Sequence, residues 1–175
     1  MPKYKRIMIL GGAGAGKTYI SDLLSVGLNI PVYHLDYSYW QPNWVRPDEE
    51  KWVKEVEELS KTEEWVMDGT YCSSLDSRLQ RADLVIYLDI NKWTRCFGII
   101  KRYYKDHEGE NLPLGCKPQL DKEFLHWAFV YKKEYGTKVL SKVSEYKDNF
   151  TFVKFKSRRK AQKFVENIIN RNGEK

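Results

Sequence analysis

The chain predicts an α/β fold: a five-stranded parallel sheet with helices on both faces, three layers in all. Three observations lead there. Short apolar runs alternate with helical periodicities along all 175 residues. A glycine-rich turn, "GGAGAGK", joins the first run to the first periodicity. Aspartates stand at the ends of the next runs, where the ligand crevice of a parallel sheet opens.

The elements follow in order. "RIMIL" (Arg6–Leu10) suits a strand buried on both faces. Ile20, Leu23, Leu24 and Leu28 then recur at helical spacing, with Gly27 as a helix stop. "PVYHLD" is a second strand ending at Asp36. Trp52, Val53, Val56 and Leu59 mark an amphipathic helix, with Pro47 near its first turn. "EWVMDG" is a third strand ending at Asp68, and "DLVIYLDI" a fourth ending near Asp89. The helix after it carries Trp93, Cys96, Phe97, Ile100 and Tyr104 on one side. Lys105–Leu120 breaks all periodicity and reads as a loop. From about Asp121, a long helical stretch places Phe124, Leu125, Ala128, Tyr131 and Tyr135 at helical spacing. "FTFVKF" is a fifth strand, and Ala161, Phe164, Val165, Ile168 and Ile169 turn the final helix inward. The whole, residues 1–175, reads as one domain.

Composition excludes several classes. No apolar run approaches a membrane span, and the first strand begins too early for a signal peptide. Cys72, Cys96 and Cys116 lack C-x-x-C spacing, and His34, His107 and His126 are scattered. Neither a disulfide framework nor a zinc site is suggested, and a reduced cytoplasm is the expected location. The net charge of +6 favours an anionic partner, whether nucleotide, nucleic acid or acidic surface. "KFKSRRK" (Lys154–Lys160) is the densest basic cluster, equally an anion site or a strand end running into a solvated helix.

The glycine-rich turn fits G-x-x-x-x-G-K-[ST] at Gly11, Gly16, Lys17 and Thr18. Gly11, Gly12, Ala13, Gly14, Ala15 and Gly16 are small enough for backbone N–H groups to turn around phosphate oxygens. Lys17 then reaches the terminal phosphates of ATP, and the Thr18 hydroxyl ligates Mg²⁺. A helix starting near Gly16 adds the positive end of its dipole. The dinucleotide pattern G-x-G-x-x-G fails, because Gly12 and Gly14 would need a glycine where Lys17 stands. A parallel sheet brings the loop together with Asp36, Asp68, Asp89 and the basic stretch Lys156–Arg158 in one crevice. Thr18 needs a partner carboxylate at a strand end. The more apolar strand favours Asp89, while Gly69 beside Asp68 permits close backbone approach. Pattern alone leaves both open, and Asp89 also suits a helix cap ahead of "INKWT".

Taken together, "GGAGAGKT", "HLDYSYW", "WVMDGTYCSSLDSRLQRADLVIYLD", "LDKEFLHWAFVYKK" and the late "SRR" span nearly the whole chain. They resemble the P-loop kinases related to adenylate and shikimate kinases, and most closely the bacterial topology modulation proteins. The resemblance implies a P-loop NTPase fold with a lid at about 103–122. It implies that Asp68 and Gly69 line the acceptor and metal site, favouring Asp68 over Asp89. It places Asp36 toward the acceptor hydroxyl or phosphate, and has Arg95 and Arg102 offer charge at the lid. Arg158 joins the nucleotide-binding set. Adenylate kinases follow their D-G with a Phe-Pro-Arg that grips a monophosphate, whereas here Thr70 and Tyr71 follow. Arg78 or Arg81 is expected to take over that role, and the acceptor stays open. In "YSYWQPNW", Trp40 and its aromatic neighbours either roof the acceptor pocket or pack as core.

The expected function is transfer of the terminal phosphate of Mg-ATP to a small acceptor, a nucleotide or similar metabolite, in a kinase like the nucleoside monophosphate kinases. The alternative is a nucleotide-dependent nucleic-acid-binding ATPase affecting DNA topology, although no nucleic-acid-binding signature is present. A regulatory GTPase is disfavoured, because Thr94 in "NKWT" replaces the carboxylate that reads guanine.

Overall fold

The structure is a computed structural model and describes residues 4–105, 112–118 and 120–173. Strands β1 (Arg6–Gly11), β2 (Val32–His34), β3 (Trp65–Asp68), β4 (Leu84–Leu88) and β5 (Thr151–Phe155) form one parallel sheet. Their order is β2-β3-β1-β4-β5, so the chain steps to opposite sides of β1 and opens a crevice at its C-terminal end. The expected α/β architecture is the observed one.

Alternation within each strand builds two cores. Ile7 and Ile9 of β1, with Val66, Ile86 and Leu88, pack beneath α1 (Lys17–Leu28) and α8 (Arg158–Gly173) through Ile20, Leu24, Ala161 and Val165. Met8, Leu10, Met67, Val85 and Tyr87 face the other way, against α4 (Leu75–Arg81) and α7 (Thr137–Glu145). Each such fully buried aliphatic side chain contributes about 1.5–3 kcal/mol. A smaller cluster of Leu35, Tyr39, Trp52 and Val56 joins α2 (Leu35–Tyr39) to α3 (Glu49–Lys61). Asp48 caps α3, its carboxylate accepting from Lys51 N at 2.9 Å, which leaves Pro47 outside the helix. Helices α5 (Lys92–Lys105) and α6 (Lys122–Tyr131) complete the layer beside the crevice. No helix among the described residues is long and apolar enough to cross a membrane.

Several expectations need correction. Strand β2 stops at His34, and Asp36 lies in the first turn of α2. Helix α4 has no counterpart in the sequence reading, since a seven-residue helix offers only the Leu75–Leu79 pair as periodicity. Gly27 does not end α1; Asn29 does, with φ 55°. Gly27 instead lets α1 approach Ile169 of α8. The apolar side of α5 faces outward, with Trp93, Phe97 and Tyr104 at 67, 68 and 62% exposure, while Arg95 and Ile99 are buried. The stretch after Asp121 is interrupted by a π turn, Lys132–Gly136, where Tyr135 is 38% exposed and stacks on buried Tyr131 at 6.1 Å. Of the lid expected at 103–122, residues 106–111 and 119 lie outside the described residues, as does His107.

Candidate active site

Residues 12–16 form the loop from β1 into α1. Gly16, at φ 96°, holds the N-cap position in a left-handed conformation that a side chain resists. No side chain caps α1 and its first turn carries no acidic residue, so the dipole and its N–H groups are open to an anion. Lys17 is half-buried and Thr18 exposed at this helix start.

Two arginines hold the loop by its carbonyl oxygens. Arg158 donates from Nε to Ala15 O at 3.2 Å and from Nη2 to Gly14 O at 2.5 Å. Arg95 donates from Nη1 to Ala13 O at 3.5 Å and from Nε to Ile90 O at 3.2 Å. A trans peptide directs its N–H opposite to its C=O, so carbonyls tied to α5 and α8 turn N–H groups the other way. Arg95 is 2% exposed, with its guanidinium over the Tyr131 ring at 5.4 Å and against Gly12. Both arginines therefore contact the loop itself. Arg102 is exposed on α5, and Lys92 lies over the Phe129 ring at 3.8 Å.

The aspartates separate clearly. Asp89 is an ion-pair centre, with Lys132 Nζ at 2.9 Å and Lys154 Nζ at 3.4 Å. Burial pushes its pKa up, but the two lysines outweigh this and hold it below the usual carboxylate range. The cap ahead of α5 is Asn91, which accepts from Trp93 N at 2.9 Å. Asp68, 2% exposed, accepts at Oδ2 from Ser21 Oγ at 2.7 Å and pairs there with His34 Nδ1 at 2.8 Å. Ser21 also donates to Thr18 O at 2.8 Å, which ties Asp68 to the first turns of α1. His34 Nε2 meets Asp22 Oδ1 at 3.0 Å, so the imidazole bridges two carboxylates. Asp68 Oδ1 has no hydrogen-bond partner among the described residues. A buried carboxylate with one oxygen so placed, linked through Ser21 to the backbone of exposed Thr18, fits a hydrated Mg²⁺. Among the described residues no group of three or more His, Cys, Asp or Glu gathers as a metal cage, so such an ion relies on its ligand's oxygens.

Across the crevice, Asp36 Oδ1 accepts from Tyr71 Oη at 2.5 Å. Burial first, and then the Asp36 charge, push the Tyr71 hydroxyl far above its ordinary pKa, so it remains a donor. Tyr37 lies edge-on to His34 at 5.2 Å. Its pKa is raised by burial and then by Asp68, Asp22 and Asp36, with Arg102 opposing. Trp40 is half-buried, edge-on to Tyr39 at 4.9 Å and to Trp44 at 5.6 Å. Trp44 Nε1 donates to Lys117 O at 2.9 Å, docking this aromatic loop on the segment before α6.

The expectation for Arg78 and Arg81 is corrected. Arg78 is 0% exposed. Its guanidinium donates to Ser74 O at 3.0 Å, Gly69 O and Thr70 O at 2.8 Å, and Tyr71 O at 2.9 Å. It staples the turn after β3 and presents nothing to a ligand. Arg81 turns away to Lys61 O at 3.2 Å, at the end of α3. Gly69, at φ 126°, is demanded by the turn itself, since a Cβ there would meet Leu35 Cβ at 2.9 Å. Ser21, His34, Thr70 and Tyr71 are absent from the sequence-based site. Ser21 was legible, lying one helical turn beyond Thr18. His34 was legible less readily, as the strand position two before Asp36.

Solved structures that share this architecture include kinases. The chain superposes on shikimate kinase from Acinetobacter baumannii in complex with shikimate with a TM-score of 0.57, at 19% identity over 98% of this chain and 96% of that one. Deoxyadenosine kinase from M. mycoides with bound dATP gives 0.55, at 16% identity over 95% and 98%. The fold is thus a P-loop kinase fold. No family model matches the chain. The chain belongs to the same family as the uncharacterized protein YqaC of Bacillus subtilis, with 31% identity over 133 residues, 73% of this chain and 72% of YqaC.

Proposed function

We propose that the protein is a phosphotransferase, moving the terminal phosphate of Mg-ATP to a small metabolite. One observation carries the reading: an uncapped helix start and a glycine loop, tied back by Arg95 and Arg158, stand beside the Asp68 carboxylate. In this reading the loop N–H groups and Lys17 hold the β- and γ-phosphates, and Asp36 orients the acceptor. Mg²⁺, when bound through Thr18 and Asp68, neutralises charge developing on the transferring group. Ser21 and His34 orient Asp68. Arg102 supplies further positive charge from α5, and Trp40 walls the acceptor side. The whole chain acts as one catalytic domain, cytoplasmic by its composition. "HLDYSYW" with "DGTY…RLQRAD" supports kinship with the topology modulation proteins.

Lys17→Ala tests the reading. Transfer should fall by about 10²-fold or more, because Lys17 acts on phosphate charge. The melting temperature of the free protein should stay unchanged. Undiminished turnover in a folded variant would sink the proposal. Asp68→Asn should weaken Mg²⁺ dependence more than Asp89→Asn, whose loss should appear in stability through the Lys132 and Lys154 pairs. The opposite ranking, in folded variants, places the metal at β4. Polynucleotides should not stimulate ATP turnover; strong stimulation would favour a nucleic-acid machine.

A further inference from the structure

We infer that the acceptor is an unphosphorylated alcohol, a nucleoside or cyclic polyol whose hydroxyl meets Asp36, and that nucleoside monophosphates are poor acceptors. This rests on the phosphotransferase reading and names its substrate class.

The argument begins with what a phosphorylated acceptor needs. A phosphate group is held by planar guanidinium forks or by clustered N–H donors, and it avoids neighbouring carboxylates. Helix α4 carries Arg78 and Arg81; the Arg78 guanidinium is spent on the protein's own backbone, while Arg81 is directed to the end of α3. Arg78 is consumed by the carbonyls of Gly69, Thr70, Tyr71 and Ser74, with no exposure. Arg81 is turned to Lys61 O. Arg78 cannot be recruited without opening the turn that positions Tyr71.

The group that does face this side is a carboxylate. Asp36 is exposed, and its one recorded partner among the described residues is the Tyr71 hydroxyl. Asp22 and Asp68, bridged by His34, also act on the adjacent Tyr37, which leaves Asp36 as the exposed carboxylate of the acceptor side. Among the described residues, Arg102 acts on Tyr37 and Arg46 on Tyr39, and Lys117 meets Trp44 through its backbone. Arg102 lies on α5, on the side assigned to the transferring phosphate, and Arg46 lies by Tyr39. A second phosphate dianion beside Asp36 would be repelled. A hydroxyl group would be welcomed, donating its hydrogen to a carboxylate oxygen. The aromatic rings of Tyr37, Trp40 and Trp44 offer flat apolar surface suited to a base or to the C–H face of a sugar ring.

The chemical step balances with these groups. The acceptor oxygen forms a bond to the γ-phosphorus as the bond from that phosphorus to the β–γ bridging oxygen breaks. ADP leaves with the bridging electron pair. The hydroxyl proton passes to the Asp36 carboxylate, which Tyr71 orients through its hydrogen bond.

The test uses the full chain with Mg²⁺ and γ-labelled ATP. Matched pairs of nucleosides and their 5′-monophosphates are compared, together with unphosphorylated sugars, cyclitols and hydroxy acids. Label should appear as a phosphate monoester on an unphosphorylated alcohol, which separates nucleoside from polyol. The matching 5′-monophosphate should be poorer by about 100-fold in kcat/KM. Asp36→Asn should lower kcat by about 100-fold, the scale of a lost general base, while KM for ATP stays within about twofold. Preferred transfer to a nucleoside monophosphate, forming a diphosphate, overturns the inference and leaves the phosphotransferase reading intact. Absence of Lys17-dependent transfer to every acceptor overturns both.

Discussion

Arg78 keeps its charge at a position with no exposure, where burial pushes its pKa down to about 10, still well above neutrality. Its donors hold Tyr71 at φ 26°, ψ 87°, a conformation costing about 1–3 kcal/mol in a bulky residue. Arg78→Met should therefore destabilise the protein by about 3 kcal/mol, through carbonyls left without a charged donor. Urea unfolding checks this, and a loss below about 1 kcal/mol would mean the turn holds itself. His34 is a second residue with a measurable signature. Its hydrogen bond to Asp68 raises its pKa above the ordinary 6.5, outweighing burial. A raised folded pKa gives stability that is complete below the unfolded pKa and is lost as pH rises through the folded one. Stability should thus fall as pH rises above the ordinary imidazole value of 6.5 in the wild type. The fall should be smaller in His34→Asn, whose amide can donate to Asp68 without titrating. Equal losses in both would assign the titration elsewhere.

Helix α5 is held by its loop contacts and by α6, with Trp93 edge-on to Phe129 at 5.1 Å, while Phe97 and Tyr104 stay exposed. Trp93, Phe97 and Tyr104 read as a core face, yet Arg95 and Ile99 are buried, because the glycine loop packs there through Gly12 and Gly14. Gly98 belongs to this contact. A Cβ at Gly98 would stand 2.8 Å from Arg158 Nη2 and 3.4 Å from Gly14 O. Gly98→Ala therefore sets two effects against each other. Helix propensity gains about 1 kcal/mol, while the Arg158 fork must leave Gly14 O. The melting temperature should hold or rise. KM for ATP should increase about tenfold, the equivalent of one charge-assisted hydrogen bond. An unchanged KM would show that the Arg158 grip does not shape the loop. The π turn at Lys132–Gly136 is also set by its surroundings: it brings Lys132 to Asp89, and Gly136 lies where a Cβ would meet Tyr87 Oη at 2.8 Å.

The molecule as a whole joins α1, α5 and α8 around one short loop, so a ligand on that loop should stabilise all of it. Mg-ATP at about 100 times its Kd should add about 2.7 kcal/mol, or about 5–10 °C in melting temperature. Lys17→Ala should lose most of that shift, and thermal denaturation with Mg²⁺ alone is the control. No shift in the wild type would mean that the native protein does not hold the nucleotide. The sequence alone determined the alternation of strands and helices, the glycine loop with Lys17 and Thr18, and the positions of Asp36, Asp68 and Asp89 near strand ends. These are local properties, carried by spacing and by residue size within a few turns. Tertiary structure alone decided what each charge does. Asp68 meets Ser21 and His34 while Asp89 meets lysines, and Arg78 is spent on a turn. Arg158 reaches Gly14 across 144 positions of chain. The physical reason is that a charged group's role depends on its partners and its burial, and distant segments supply both only once they have packed.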